Sequence, residues 1–277
     1  MRVLIAGCGY VGEALAARLR AAGHAVWGLR RTAAAMPDGV GTVLADLADP
    51  STLGRLPPEL DTVVYAAAAG AHDDAHYRSI YVDGVRHLLD ALQRGGQPVR
   101  RLLYVSSTGV YHQRDGEWVD EDSPAEPLDF SGRRLLEGEA AARSGACPAV
   151  VLRLGGIYGP GRPHLIDAVR AGFGPGPGGP PVYVNRIHRD DAAGALAHLA
   201  SLPAPAPLYL GVDHEPATSA EVARWVAARL GLAVEPGAPA PFAPPGRGNK
   251  RCRNARLVAS GYTFRYPTFR EGFEALL

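Results

Sequence analysis

Short, nearly uninterrupted apolar runs alternate along this chain with longer stretches in which apolar residues recur every three or four positions. Runs of the first kind suit strands buried on both faces, and stretches of the second kind suit helices that cover them. The pattern therefore predicts an α/β fold, a parallel sheet wound by helices on both sides. RVLIAG, HAVWGLR, GTVLADL, DTVVYAAAAG, VRRLLYVSST and PAVVLRLGGIYGPG read as six strands in that order. VGEALAARLRAAG, between the first two, reads as a helix closed by Gly23. YRSIYVDGVRHLLDALQRGG reads as a long amphipathic helix with Ile80, Val85, Leu88, Leu89 and Leu92 on its apolar face.

After Gly159 the pattern breaks up. GPGRP and AGFGPGPGGPP are too rich in Gly and Pro for regular elements and read as loops over a ligand cleft. DDAAGALAHLASL returns to helix and PLYLGVD to strand. TSAEVARWVAARLGL is a further helix, with Thr218 or Ser219 at its N-cap and Glu221 close behind. A proline-rich spacer, EPGAPAPFAPPGRG, leads to the basic segment NKRCRNARL. The expected organisation is a wound-sheet domain over residues 1–160. Residues 161–277 supply a small lobe, interleaved with the last helix and strand of the sheet domain.

Composition adds exclusions. Among 277 residues, 47 % are apolar and 21 % charged, enough for a sizeable core, and the formal net charge of +1 gives no bulk field for nucleic acid or an anionic membrane. Cys8, Cys147 and Cys252 lie far apart without ligand spacing and read as thiols of a reducing compartment rather than as a metal site. The opening MRVLIAGCG runs directly into a strand, and no run approaches the length of about 18 apolar residues that a membrane span needs. A cytoplasmic protein is expected.

Candidate chemistry begins at GCGYVG. Gly7, Gly9 and Gly12 have G-x-G-x-x-G spacing, with Tyr10 and Val11 inside the turn, and the motif follows a strand and opens a helix. In that setting the first Gly permits the turn and the second lets the backbone approach a pyrophosphate. The third lets the helix pack close, with its N-terminus facing the negative charge. At the end of the second strand stand Arg30 and Arg31, where an acidic residue would bind a ribose 2′-hydroxyl. A guanidinium suits a 2′-phosphate instead, so NADP(H) is expected over NAD(H), unless the two arginines are simply solvated.

With GCGYVG, ADL, YAAAAG, YVSSTGVY and LRLGGIYGPGR in this order, the chain resembles the extended short-chain dehydrogenase/reductases, the NAD-dependent epimerase/dehydratase family, over nearly its whole length. The resemblance implies a Rossmann-type doubly wound sheet with a small C-terminal substrate lobe. It implies that Asp46 and Leu47 meet the adenine and that Ala66, Ala67 and Ala68 line the adenosine and ribose path. It implies that Ser107, or its neighbour Thr108, bonds the substrate oxygen, and that Gly156, within Gly155 to Tyr158, passes the nicotinamide end. The family's Tyr-x-x-x-Lys pair is missing: Ser131 stands at the Tyr position, Leu135 at the Lys position, and Tyr81 where an Asn is usual. No Lys occurs before Lys250. The chain thus resembles an atypical branch that lacks the pair.

Other groups could carry the chemistry. Tyr111 and His112 follow the fifth strand, and His112 is either a general acid/base or an exposed loop residue. Asp120, Glu121 and Asp122 read as a solvated loop. Arg162, Arg186 and His188 fall on segments that shape the family's substrate pocket, and they suit an anionic substrate such as a sugar nucleotide or else form structural ion pairs. The basic tail reads as lobe packing rather than a nucleic-acid surface. Two functions remain: an NAD(P)-dependent oxidoreductase, epimerase or dehydratase with a nonstandard acid/base, or a cofactor-binding redox sensor without turnover. The partner expected in the first is a small molecule, and the chain itself is expected to be a monomer or homodimer.

Overall fold

A computed structural model describes residues 1–172, 181–232 and 248–277. The bulk of the second expected cleft loop and of the proline-rich spacer lies outside the described residues.

The first half follows the apolar pattern. Strand β1 (Arg2–Ala6) leads into helix α1 (Tyr10–Ala21), then β2 (Ala25–Arg30), β3 (Gly41–Leu44) and β4 (Thr62–Tyr65). Helix α2 (Asp74–Tyr77) runs through a widened π-type turn at Arg78–Asp83 into α3 (Gly84–Arg94), followed by β5 (Arg101–Ser107). A short strand β6 (Glu117–Val119) precedes α4 (Phe130–Arg143), β7 (Ala149–Leu154) and β8 (Gly156–Tyr158). Next come α5 (His164–Arg170), β9 (Tyr183–Val184), β10 (Arg186–His188), α6 (Arg189–Ser201) and β11 (Leu208–Gly211). The chain closes with β12 (Ala217–Thr218), α7 (Ser219–Arg229), β13 (Lys250–Cys252), α8 (Ala255–Ala259) and α9 (Phe269–Glu274).

Seven of these strands form one parallel sheet in the order β11-β7-β5-β4-β1-β2-β3. The strand order reverses direction between β1 and β4. In doubly wound sheets that switch point opens a crevice at the carboxyl ends of the strands. α1 and α6 pack together over one face on Val3, Ile5, Leu15, Leu196 and Leu199. α3 and α4 cover the other on Leu4, Val63, Val85, Leu88 and Leu102. Each such fully buried aliphatic side chain contributes about 1.5–3 kcal/mol.

Smaller pairings build the lobe: β8 with β10, β9 with β12, and β6 with β13. The helix starting at Ser219 carries a full capping box, with Thr218 and Glu221 satisfying each other's backbone groups. The acidic run is not wholly solvated. Glu121 is buried, and its carboxylate accepts from the Leu210 N–H at 2.8 Å on the edge strand β11. The basic tail packs as expected: Arg251 lies over the Trp118 and Tyr183 rings and Arg256 pairs with Asp122 at 2.7 Å.

Candidate functional site

One cleft of about 1000 Å³ opens at the switch point and runs from the glycine turn to the lobe. At its first end the three glycines have separable reasons. Gly7 sits at φ +85°, and a methyl group there would lie 2.3 Å from Cα of Ala67, so the turn and the end of β4 can touch only with glycine in place. A methyl on Gly12 would press on the Gly7 carbonyl at 3.0 Å, which fixes how closely α1 can pack. A methyl on Gly9 meets nothing within 4 Å; that side faces open space. Gly9 is the N-cap of α1 without a side-chain cap, so the first N–H groups of the helix point outward with the positive end of its dipole. This cradle fits a pyrophosphate.

Gly7, Gly9, Tyr10 and Val11 line the cleft, as do Asp46, Leu47, Ala66, Ala67, Ala68 and Gly156. Gly12, one turn inside α1, shapes the cradle from behind. The two arginines at the end of β2 differ. Arg30 is folded back, bonding the Cys8 carbonyl and pairing with the Glu13 carboxylate of α1. Arg31, on the rim, stays exposed and lines the same cleft. Arg162 covers the turn, with its guanidinium carbon 3.9 Å from the centroid of the Tyr10 ring.

At the middle of the cleft β5 ends in Ser107, whose Oγ accepts the Gly109 N–H at 3.0 Å and so caps the single turn Thr108–Val110. The hydroxyl hydrogen is left to donate elsewhere. Thr108, beside it, also lines the cleft but is largely buried. α4 begins directly against this turn, since a methyl on its Gly132 would lie 3.2 Å from the Gly109 carbonyl. Asp129 caps that helix, and its Oδ1 accepts both the Gly132 N–H and the Ser131 hydroxyl at 2.8 Å. Asp129, Ser131 and Leu135 all line the cleft. The wall therefore presents a serine hydroxyl tied to a carboxylate, and an apolar side chain. Tyr81 lines the opposite side on the widened turn, its carbonyl accepting from the Tyr104 hydroxyl at 3.0 Å.

Three sequence candidates lie elsewhere. Tyr111 is 1 % exposed and is not among the lining residues. Its hydroxyl donates to the Asp120 carbonyl at 2.7 Å and accepts from Arg153 Nη1 at 2.8 Å, and burial pushes the phenol up to about 12. His112 is half-buried off the cleft, with Nε2 4.0 Å from the Glu126 carboxylate. His188 is buried at the N-cap of α6, where Nδ1 accepts the Asp190 N–H at 3.1 Å, and burial lowers its basicity. None of the three lines the cleft: Tyr111 and His112 come after the turn Thr108–Val110, and His188 is taken up in capping α6.

The lobe end brings Arg186 to the cleft, and with it Tyr183, Tyr158 and a residue that sequence reasoning assigned to packing, Lys250. A signal for Lys250 existed, because it is the only lysine in the chain. Asp129 was also missed, although its place directly ahead of a helical run marks an N-cap.

A dinucleotide cradle opening onto a hydroxyl-lined cleft defines an NAD(P)-binding protein of the Rossmann class. The NAD dependent epimerase/dehydratase family model matches residues 3–176, and the chain belongs to that family. It is 30 % identical to a 3-diazoavenalumate denitrifying reductase of Streptomyces sp, with 98 % of this chain and 99 % of that protein aligned. It is 43 % identical to a structure described as a candidate NAD-dependent epimerase/dehydratase of Methylobacillus flagellatus, with a TM-score of 0.82 over 99 % of this chain and 97 % of the other. Human epimerase family protein SDR39U1, solved with NADPH, is 25 % identical with a TM-score of 0.82, covering 99 % and 98 % of the two chains. Among the described residues no cluster of potential metal ligands occurs, and no helix is long and apolar enough to cross a membrane.

Proposed function

We propose that this chain is an NADP(H)-dependent oxidoreductase acting on a small carbonyl or alcohol substrate, by a proton path that uses neither tyrosine nor lysine at the family's usual positions. The observation that carries this reading is the continuity of a single cleft from the glycine cradle past Ser107 to the cationic lobe. The bound nicotinamide would supply or accept the hydride. The protein's own part is positional and protic. The N-terminus of α1 holds the pyrophosphate, and Arg31, the arginine not committed to Glu13, meets the 2′-phosphate. Ser107, with its acceptor side occupied by the Gly109 N–H, donates to the reacting oxygen. Asp129, through the Ser131 hydroxyl that bonds it at 2.8 Å, is the carboxylate placed to exchange the proton.

A second reading is favoured by one observation: Leu135 puts an apolar side chain in the cleft wall, where the resemblance to the family implies an amine that would hold the nicotinamide ribose. In that reading the chain binds NADP(H) and reports its redox state without turnover. Both readings carry a cytoplasmic setting, no nucleic-acid partner, and a monomer or homodimer. The deciding experiment follows NADPH fluorescence on binding and then on incubation with a panel of aldehydes and ketones. Oxidation that Ser107→Ala suppresses supports the enzyme, and tight binding with no oxidation across the panel supports the sensor.

A further inference from the structure

The lobe end of the cleft holds two buried cations. Arg186 is 8 % exposed and Lys250 5 % exposed, and both line the cleft. Arg186 is the first residue of β10 and Lys250 the first of β13. Asn185, directly before Arg186, ties this segment to β13, donating from Nδ2 to the Lys250 carbonyl at 3.0 Å and accepting the Cys252 N–H at 2.7 Å. Among the described residues the Arg186 guanidinium makes no ion pair and no hydrogen bond. The carboxylate that acts on it most strongly, Asp213, is itself buried, has an unpartnered Oδ2, and is pushed up to about 8 by burial. Lys250 donates to the Tyr111 carbonyl at 3.0 Å. Of 29 cationic residues this is the single lysine, and it is placed where a compact ammonium fits.

A buried guanidinium without a counter-charge is costly unless an anion arrives to meet it. The shape of the seat narrows the anion. A guanidinium fork and a point ammonium match the two oxygens of a carboxylate. Phosphate sites gather backbone N–H groups at helix N-termini, and this end of the cleft is built from strands. Size argues the same way: one cavity of about 1000 Å³ must take the dinucleotide as well as the substrate, which leaves room for a small molecule rather than for a second nucleotide.

We propose that Arg186 and Lys250 form the seat for the carboxylate of the substrate, so that the enzyme acts on a small oxo- or hydroxy-carboxylate rather than on a sugar nucleotide. This rests on the oxidoreductase reading above and places the far end of the substrate; Ser107 holds the reacting oxygen. The hydride and proton balance is that of ordinary carbonyl reduction by NADPH: hydride to the carbonyl carbon, one proton to its oxygen, NADP left behind.

The test titrates NADP-saturated protein with benzoate, cinnamate, phenyl phosphate and UDP by calorimetry, on wild type, Arg186→Gln, Lys250→Gln and, as a control on an exposed arginine far from the cleft, Arg55→Gln. At least one carboxylate should bind wild type and Arg55→Gln alike, and bind each cleft variant at least tenfold more weakly. A preference for UDP or phenyl phosphate, or no difference between wild type and Arg186→Gln for either carboxylate, overturns the proposal. NADPH fluorescence recorded on the same samples separates the two levels: loss of dinucleotide binding in wild type would sink the oxidoreductase reading itself. A ligand-free readout stands beside these. Arg186→Met should raise the melting temperature of the apo protein by a few degrees, because it removes an uncompensated buried charge. A fall in melting temperature would mean that Arg186 is a structural partner and would also overturn the seat.

Discussion

Arg153 on β7 and Glu139 on α4 meet through two parallel hydrogen bonds of 2.8 Å in the core directly beneath the cleft. Ser106 donates to the same carboxylate at 2.7 Å, and the remaining fork of Arg153 reaches the Tyr111 hydroxyl. The network joins β5, β7 and α4, the elements that carry Ser107 and Ser131, so the relative position of those two hydroxyls depends on it.

Removing one partner of this pair strands a buried charge. Glu139→Gln or Arg153→Met is expected to cost about 3–5 kcal/mol in urea unfolding. The double variant Glu139→Leu/Arg153→Met should recover a substantial part of that. Equal losses in single and double variants would show that packing, not charge, holds the site.

Tyr111→Phe separates a structural phenol from a catalytic one. The expected result is a loss of about 1–3 kcal/mol, since the Asp120 carbonyl and Arg153 are left short of a partner, with NADPH affinity unchanged. A lost acid/base limb in the pH profile of NADPH oxidation would return Tyr111 to the chemistry.

The rim of β2 gives a cofactor prediction. Arg31→Ala should weaken NADPH binding about tenfold or more while leaving NADH binding nearly unchanged, as loss of a charged hydrogen bond to one phosphate would. Arg30→Ala should act differently, loosening the turn through Glu13 and affecting both dinucleotides alike. Equal effects of Arg31→Ala on the two cofactors in a fluorescence titration would contradict the assignment.

Asp213 supplies a pH prediction. Its carboxyl, raised to about 8 by burial, holds its proton more tightly folded than unfolded. The stability due to the protonated form is present below the unfolded value, near pH 4, and drains away as pH rises towards 8, by up to about 1.4 kcal/mol per pH unit. Asp213→Asn keeps the acceptor for the Glu215 N–H and has no such loss. Unfolding free energies at pH 5.5 and 8.5 should therefore favour the variant increasingly at the higher pH. A gap independent of pH would mean that Asp213 titrates normally.

The alternation of apolar runs and helical periods made the wound sheet legible, because strands buried on both faces leave no ambiguity of side. The cradle was legible too, since G-x-G-x-x-G is a backbone requirement written directly as residue type. Direction was not. Arg30 and Arg31 are adjacent in sequence, yet one turns back to Glu13 and the other to the rim. Tyr111 and His112 follow the right strand but do not line its crevice. The lobe was harder still. Lys250 reaches the cleft because β13 pairs in parallel with β6, more than a hundred residues earlier, and no local pattern records such a pairing.

One feature of composition gives the cleft a handle of its own. With a single lysine among these 277 residues, an amine-reactive acylating reagent has one side-chain target in them, Lys250. That amine lies inside the cleft. The mass of one peptide would then report whether the cleft is filled, and a library of unlabelled compounds could be sorted by how well each shields that one nitrogen.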